Sequence, residues 1–67
     1  MQEIIFIVEE SDEGGLTAKA LGVSIFTEAE NLADLKVAVK DAVKCHFDDE
    51  QQRIIRLHML KEEVFAA

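Results

Sequence analysis

The sequence predicts a small α+β domain with the element order β-β-β-α-β, in which one helix packs on one face of a mainly antiparallel sheet. Three features lead to this prediction: a β-branched run near the N-terminus, a glycine pair that follows it, and a later segment whose apolar residues recur at helical spacing. The chain has 67 residues. This length suits a single domain, residues 1–67, which buries about 60% of the surface that its unfolded form exposes.

The first strand is expected over residues 2–9, QEIIFIVE, because no polar residue stands between Ile4 and Val8. Such a run is typical of a strand buried on both faces, so we place this strand near the centre of the sheet. Residues 11–15, SDEGG, then predict a hairpin, because two adjacent glycines accept positive φ.

Three further strands are predicted from composition and alternation. Residues 16–21 and 23–27 are expected to form the second and third strands, separated by a turn or bulge at Gly22, and to complete an antiparallel meander. Residues 53–60, RIIRLHML, alternate in polarity and predict a fourth strand. Its two faces consist of Ile55, Leu57 and Met59 on one side and Ile54, Arg56, His58 and Leu60 on the other.

The helix is predicted to begin after an Asn31 cap and to end near Phe47. Asp34, three residues after the cap, places a carboxylate where the first backbone amides of a helix lack partners. The apolar stripe that predicts the helix consists of Leu32, Leu35, Val39, Ala42 or Val43, and His46 or Phe47.

One helix covers only one sheet face, whereas the first strand carries apolar residues on both of its faces. Ile5 and Ile7 point away from Ile4, Phe6 and Val8, so one of the two sets lacks cover within the chain. We expect a homodimer in which Ile5 and Ile7 form the dimer face.

The charge of the chain indicates a protein partner and argues against direct binding of nucleic acid or membranes. Fourteen acidic and seven basic residues give a net charge of −7, which opposes attraction to phosphate backbones and anionic lipids. The acidic residues collect at two predicted loops, with Glu9, Glu10, Asp12 and Glu13 at the first hairpin and Asp48, Asp49 and Glu50 after the helix. They either form ordinary polar loops or contact a small basic protein that they attract by electrostatic steering.

A basic stripe runs along the predicted helix. Lys36, Lys40 and Lys44 recur at intervals of four residues and therefore lie on one side of it. The stripe is either a solvated face or a contact surface.

No catalytic or metal-binding pattern is present in the sequence. Cys45 and His46 are adjacent, but neighbours on a helix point about 100° apart, so we interpret Cys45 as a buried, inert thiol. The chain has neither CxxC nor HExxH spacing. We therefore expect no enzyme activity, no cofactor and no metal. The alternatives are a small-ligand or metal-binding module built on Cys45, His46 and His58, and a structural dimer without a ligand.

A cytoplasmic location is expected. The N-terminal MQEIIFIVEES lacks the positive region of a signal peptide, and a single cysteine cannot form an internal disulfide. The apolar run from Ile4 to Val8 is far shorter than the roughly 20 residues that span a bilayer.

The segments EIIFIVEE, DEGG, LTAKALG and FTEAENLADLKVAVKDAV, in this order, resemble the strand, glycine turn, strand and capped helix of the HicB-like antitoxin family. The resemblance covers about the first 47 residues, and RIIRLHML can serve as the last strand of the family. It implies a partial ribonuclease H-like fold and a domain that blocks a small basic ribonuclease toxin.

The chain departs from the pattern of this family at two places. The DNA-binding segment that usually follows the domain has no counterpart before Ala67, and Ala20-Leu21-Gly22 replaces a proline-containing stretch. Nuclease activity is not implied by the fold, because ribonuclease H chemistry needs carboxylates that converge on two metals and residues 4–8 carry none.

Overall fold

The computed structural model describes residues 2–49, 51–60 and 65–67. Its elements, in chain order, are β1 (Gln2–Glu10), β2 (Leu16–Ala20), β3 (Phe26–Ala29), α1 (Leu32–Phe47) and β4 (Arg53–Leu60). The strands form one sheet in the order β3-β2-β1-β4. The β1–β2 and β2–β3 pairs are antiparallel, whereas β1 and β4 are parallel. The predicted α+β class and element order are confirmed, and β1 lies inside the sheet.

The third strand lies later in the chain than the predicted residues 23–27. After Gly22, which has a φ of +87°, the backbone bends, and the Ile25 N–H donates to the Val23 carbonyl oxygen at 3.0 Å. The side chain of Ile25 is buried in the core. Ladder pairing with β2 therefore starts only at Phe26. The predicted third strand exists, but its predicted start was wrong, because Val23 and Ile25 pack on the core from a bend and not from a strand.

The helix α1 begins and ends where the sequence predicts. The Asn31 side-chain oxygen accepts a hydrogen bond from the Asp34 N–H at 2.8 Å, and the Asn31 side-chain nitrogen donates to the Asp34 carboxylate at 3.2 Å. This cap satisfies an amide at the first turn that has no partner within the helix. At the other end, Asp48 has a φ of 46° and its N–H donates to the Lys44 carbonyl oxygen. A left-handed residue of this kind is a common helix stop.

The core lies between α1 and the sheet face that the helix covers, which we call the front face. Leu35, Val39 and Val43 form the buried stripe of α1. They pack against a buried set from the sheet and the β2–β3 connection, namely Ile4, Phe6, Val8, Ala18, Ala20 and Ile25. The predicted stripe is confirmed at its centre, whereas Leu32 is 40% exposed and His46 is also exposed.

The helix covers the front face unevenly. Its backbone lies closest to β3 and β2, and its buried side chains reach β1, so β4, at the edge beyond β1, receives less cover. Ile55 and Leu57 of β4 are half-buried on the front face, and Met59 is 53% exposed. Within the described residues, no helix has the length and apolar character needed to cross a membrane.

Candidate protein-binding surfaces

The opposite face of the sheet, which we call the back face, has no covering element among the described residues. β1 contributes Ile5 and Ile7, both half-buried between neighbouring strands. The same face carries Ile54 and Leu60 of β4, which are 46% and 56% exposed, and Phe26 of β3, which is 63% exposed. The structure thus places Ile5 and Ile7 away from the helix, as the alternation predicts. The dimer that would cover them stays a prediction.

Charged and polar side chains interrupt the apolar residues of the back face. Arg56 donates from Nε to the Glu3 carboxylate at 2.8 Å across the β1–β4 pair. This hydrogen bond raises the pKa of Arg56 above its usual range. Lys19 and His58 flank Ile7 on the two neighbouring strands. The back face therefore presents apolar area together with both signs of charge.

The predicted acidic residues lie at opposite ends of the sheet. The first carboxylates of the hairpin lie at the C-terminal end of β1. The start of β2 pairs with the end of β3, and this pairing brings two further glutamates to the same end of the sheet. We call this exposed group the acidic end; it consists of Glu9, Glu10, Asp12, Glu13, Glu28 and Glu30. Asp48 and Asp49 lie at the other end, where α1 leads into β4, and Glu50 lies outside the described residues.

Glu28 and Glu30 were not predicted as members of the acidic end. They are separated from the hairpin along the chain and come close to it only because Ala29 pairs with Leu16. The sequence contains a signal for them, since a meander returns the end of its third strand to the start of its second.

Asp49 is bound within the chain. The two terminal nitrogens of Arg53 each donate to one Asp49 carboxylate oxygen at 2.8 Å, and Arg53 Nε donates to the Gln2 side-chain oxygen at 2.8 Å. The guanidinium carbon lies 3.9 Å from the centroid of the Phe47 ring. Chiefly through these hydrogen bonds, Arg53 lowers the pKa of Asp49 below its ordinary value of 3.8, and Asp49 raises the pKa of Arg53. The arrangement ties the α1–β4 connection to β1.

A groove of about 1180 Å³ lies between α1 and β4 on the front face. Its floor is apolar and consists of Val39 and Val43 from the helix and Ile55 and Leu57 from the strand. The predicted basic stripe of Lys36, Lys40 and Lys44 lines the groove on the helix side. At the end where α1 leads into β4, the groove is closed by Asp48, Asp49, Gln51, Gln52 and Arg53. We call it the α1–β4 groove.

The residues of the alternative metal or ligand hypothesis do not come together. Cys45 and His46 lie on α1, over the front face, whereas His58 lies beside Ile7 on the back face, with the sheet between them. The part of the chain that the structure describes contains no group of three or more His, Cys, Asp or Glu that could hold a metal ion.

The interpretation of Cys45 as a buried thiol was wrong, because this thiol is exposed. Residues two positions apart on a helix point about 200° away from each other. Cys45 therefore points away from the side on which Val43 is buried. His46 packs its ring edge-on against Phe47, with 4.8 Å between the ring centroids. Neither side chain lines the α1–β4 groove.

Two curated relatives resemble this chain. The UPF0150 protein of Archaeoglobus fulgidus is 61% identical over 46 residues, which cover 69% of this chain and 68% of the relative. The UPF0150 protein of Thermotoga maritima is 38% identical over 65 residues, which cover 97% of this chain and 93% of the relative. No family model matches the chain, and no solved structure matches it. The resemblance to HicB-like antitoxins therefore stays a hypothesis.

Proposed function

The chain belongs to the UPF0150 family, and for this member we propose the function of a non-catalytic protein-binding module. It forms a homodimer through the back face of its sheet. It engages a small basic protein through the acidic end, as an antitoxin of the HicB-like type would. The site of action is the cytoplasm.

The observation that carries this proposal is the acidic end. Six exposed carboxylates from β1, the first hairpin, β3 and the β3–α1 connection are gathered at one end of the sheet. The two ion pairs of the described residues, Arg53 with Asp49 and Arg56 with Glu3, lie elsewhere. A surface of one sign on a protein with a net charge of −7 attracts an oppositely charged partner and speeds its association.

The back face supports the dimer. Its apolar side chains are interspersed with Glu3, Arg56 and Lys19, so two copies related by a two-fold axis can bring opposite charges together around an apolar centre. Dimerisation also compensates for the small core of a chain this short.

The absence of catalysis is part of the proposal and has its own support. Cys45 and His46 are exposed on neighbouring helix positions, and neither forms a hydrogen bond with another described side chain. A nucleophile and its base act through such a bond, with a third group that orients the base.

A pull-down from native cell extract tests the basic partner. We expect wild-type protein to recover a basic protein at about 0.1 M salt and to lose it at about 1 M, where the screening length falls from about 10 to about 3 Å. The variant Asp12→Lys reverses one charge of the acidic end and should recover less of the same protein, with a slower association rate.

The matched control is Asp41→Lys, which makes the same charge change at an exposed position of α1 away from the acidic end. It should recover the partner as wild type does. Recovery of no basic protein, or equal recovery by Asp12→Lys and Asp41→Lys, would contradict the proposal.

A further inference from the structure

The α1–β4 groove is an open apolar strip beside a helix. Val39 and Val43 are buried at its inner side, whereas Ile55 and Leu57 are only half-buried, because α1 packs over β3 and β2. A second helix laid parallel to α1 at the usual interaxial distance of about 8–10 Å would lie over β4, because α1 already buries Ile4, Phe6 and Val8 of β1. The space that the fold leaves open thus lies over the edge strand.

The charge of the groove is opposite to that of the rest of the molecule. Four of the seven lysine and arginine residues of the chain line it, namely Lys36, Lys40, Lys44 and Arg53. Two carboxylates, Asp48 and Asp49, line the groove at the end where α1 leads into β4. The charge of Asp49 is neutralised by Arg53. Three lysines against Asp48 leave the groove positive in a protein with a net charge of −7.

The spacing of the lysines matches that of a helical partner. Lys36, Lys40 and Lys44 follow one another at about 6 Å along α1, the rise of four helical residues, and span about 12 Å in all. Carboxylates at positions i, i+4 and i+8 of a second helix repeat at the same distance. Apolar residues at neighbouring positions of that helix would reach the floor, as in other helix-in-groove complexes.

We propose that the α1–β4 groove binds an acidic amphipathic helix of a partner protein. This surface is separate from the acidic end and from the back face, and its partner has the opposite charge to the basic protein proposed above. The α1 helix of a second copy does not fit, because it carries the same lysine stripe.

Nuclear magnetic resonance on the whole chain tests the proposal. The probe is a synthetic, end-capped helical peptide with Glu at i, i+4 and i+8 and Leu at adjacent positions, compared with the same peptide carrying Gln in place of Glu. We expect the Glu peptide to shift the amide signals of residues 36–44 and 55–57, and the Gln peptide to bind about tenfold more weakly.

Two variants that add a carboxylate supply the test and its control. Lys40→Glu reverses the central lysine of the groove and should weaken binding by at least about tenfold. Ser24→Glu adds a carboxylate in the β2–β3 connection, outside the groove and the back face, and should leave the affinity within about twofold of wild type. Both positions are exposed, so both variants should retain the dispersed spectrum of the folded protein.

Four outcomes would overturn the proposal. The first is the absence of peptide-induced shifts in the groove at millimolar peptide, and the second is equal loss of affinity in Lys40→Glu and Ser24→Glu. The third is a change in the mass of the free protein caused by Lys40→Glu alone, which would make the groove an interface between copies. The fourth is binding to vesicles of phosphatidylglycerol and phosphatidylcholine that Lys40→Glu abolishes, without binding of the peptide.

Discussion

At the scale of single residues, the first hairpin contains two glycines with nearly the same positive φ but in different surroundings. Gly14 has a φ of +88° and Gly15 a φ of +89°, both in the region that side chains of L-residues rarely adopt. A Cβ atom on Gly15 would lie 2.9 Å from the Ala29 carbonyl oxygen, whereas one on Gly14 would meet nothing within 4 Å. The close approach of β3 therefore requires glycine at position 15 for a second, steric reason.

We predict that Gly14→Ala and Gly15→Ala differ in stability. Gly14→Ala should lower the free energy of unfolding by about 1–2 kcal/mol, the cost of a left-handed conformation with a Cβ atom. Gly15→Ala should cost more, because the clashing oxygen belongs to the backbone of β3 and moves only if the strand moves. Urea unfolding of both variants measures the difference. Equal losses would mean that the hairpin and β3 are not packed as closely as described.

At the scale of elements, the Arg53 side chain joins the end of α1 to β4 and β1. Its side chain is only 7% exposed, and its charge is balanced by Asp49, whose side chain is 37% exposed. The contacts with Phe47 and Gln2 hold the guanidinium in place, so the ion pair does not have to order two free side chains. This cluster sets the position at which the chain leaves the helix and enters the fourth strand.

The Asp49–Arg53 pair predicts a pH-dependent contribution to stability. Because folding lowers the pKa of Asp49 below 3.8, the contribution is present above 3.8 and is lost as the pH falls through the pKa of the folded state. Asp49→Asn should therefore lower the Tm at pH 7, and the gap to wild type should close in acid.

Asp12→Asn is the control for this measurement, since Asp12 is an exposed hairpin carboxylate outside the two ion pairs of the described residues. Its Tm at pH 7 should match that of wild type. A gap between wild type and Asp49→Asn that persists below the pKa of the folded state would show that the carboxylate charge is not its source.

At the scale of the whole molecule, the apolar side chains of the two sheet faces are covered in different ways. α1 covers the front face over β3 and β2, whereas the back face depends on a second copy in the function proposed here. We predict that light scattering gives twice the chain mass for wild type. Ile54→Lys, which places a charge among the apolar residues of the back face, should give the mass of one chain.

Val37→Lys is the matched control, because Val37 is 61% exposed on α1 and Ile54 is 46% exposed on the back face. It should keep the wild-type mass. A wild-type monomer, or loss of the dimer in both variants, would contradict the proposed use of the back face.

The pattern of apolar and polar residues within each segment predicts most of the fold. The β1, α1 and β4 segments, the Asn31 cap and the outward set of Ile5 and Ile7 could be predicted because each depends on neighbouring residues and on the period of its own element. The third strand could not be located in this way, since Val23 and Ile25 have strand composition but reach the core from a bend.

The candidate surfaces were predicted less completely than the elements that carry them. The hairpin carboxylates and the lysine stripe were found from spacing alone. Three features were not predicted. They are the joining of Glu28 and Glu30 to the acidic end, the pairing of Asp49 with Arg53, and the exposure of Cys45. Strand pairing determines the first, and the path of the chain between α1 and β4 determines the second. The third was missed although the helical position of Cys45, about 200° from Val43, indicates it.

The sequence by itself therefore determined which elements form, where the helix begins and ends, and which side of each element is apolar. Only the tertiary structure decided that β4 lies parallel to β1 at the sheet edge, that α1 lies over β3 and β2, and that a positive groove opens between α1 and β4. The physical reason is that the spacing of apolar residues along a helix or strand depends only on residues that are close in sequence. The choice of a neighbouring strand is a balance among contacts between residues far apart in sequence, here Gln2 and Arg53 at one end and Glu9 and Leu60 at the other.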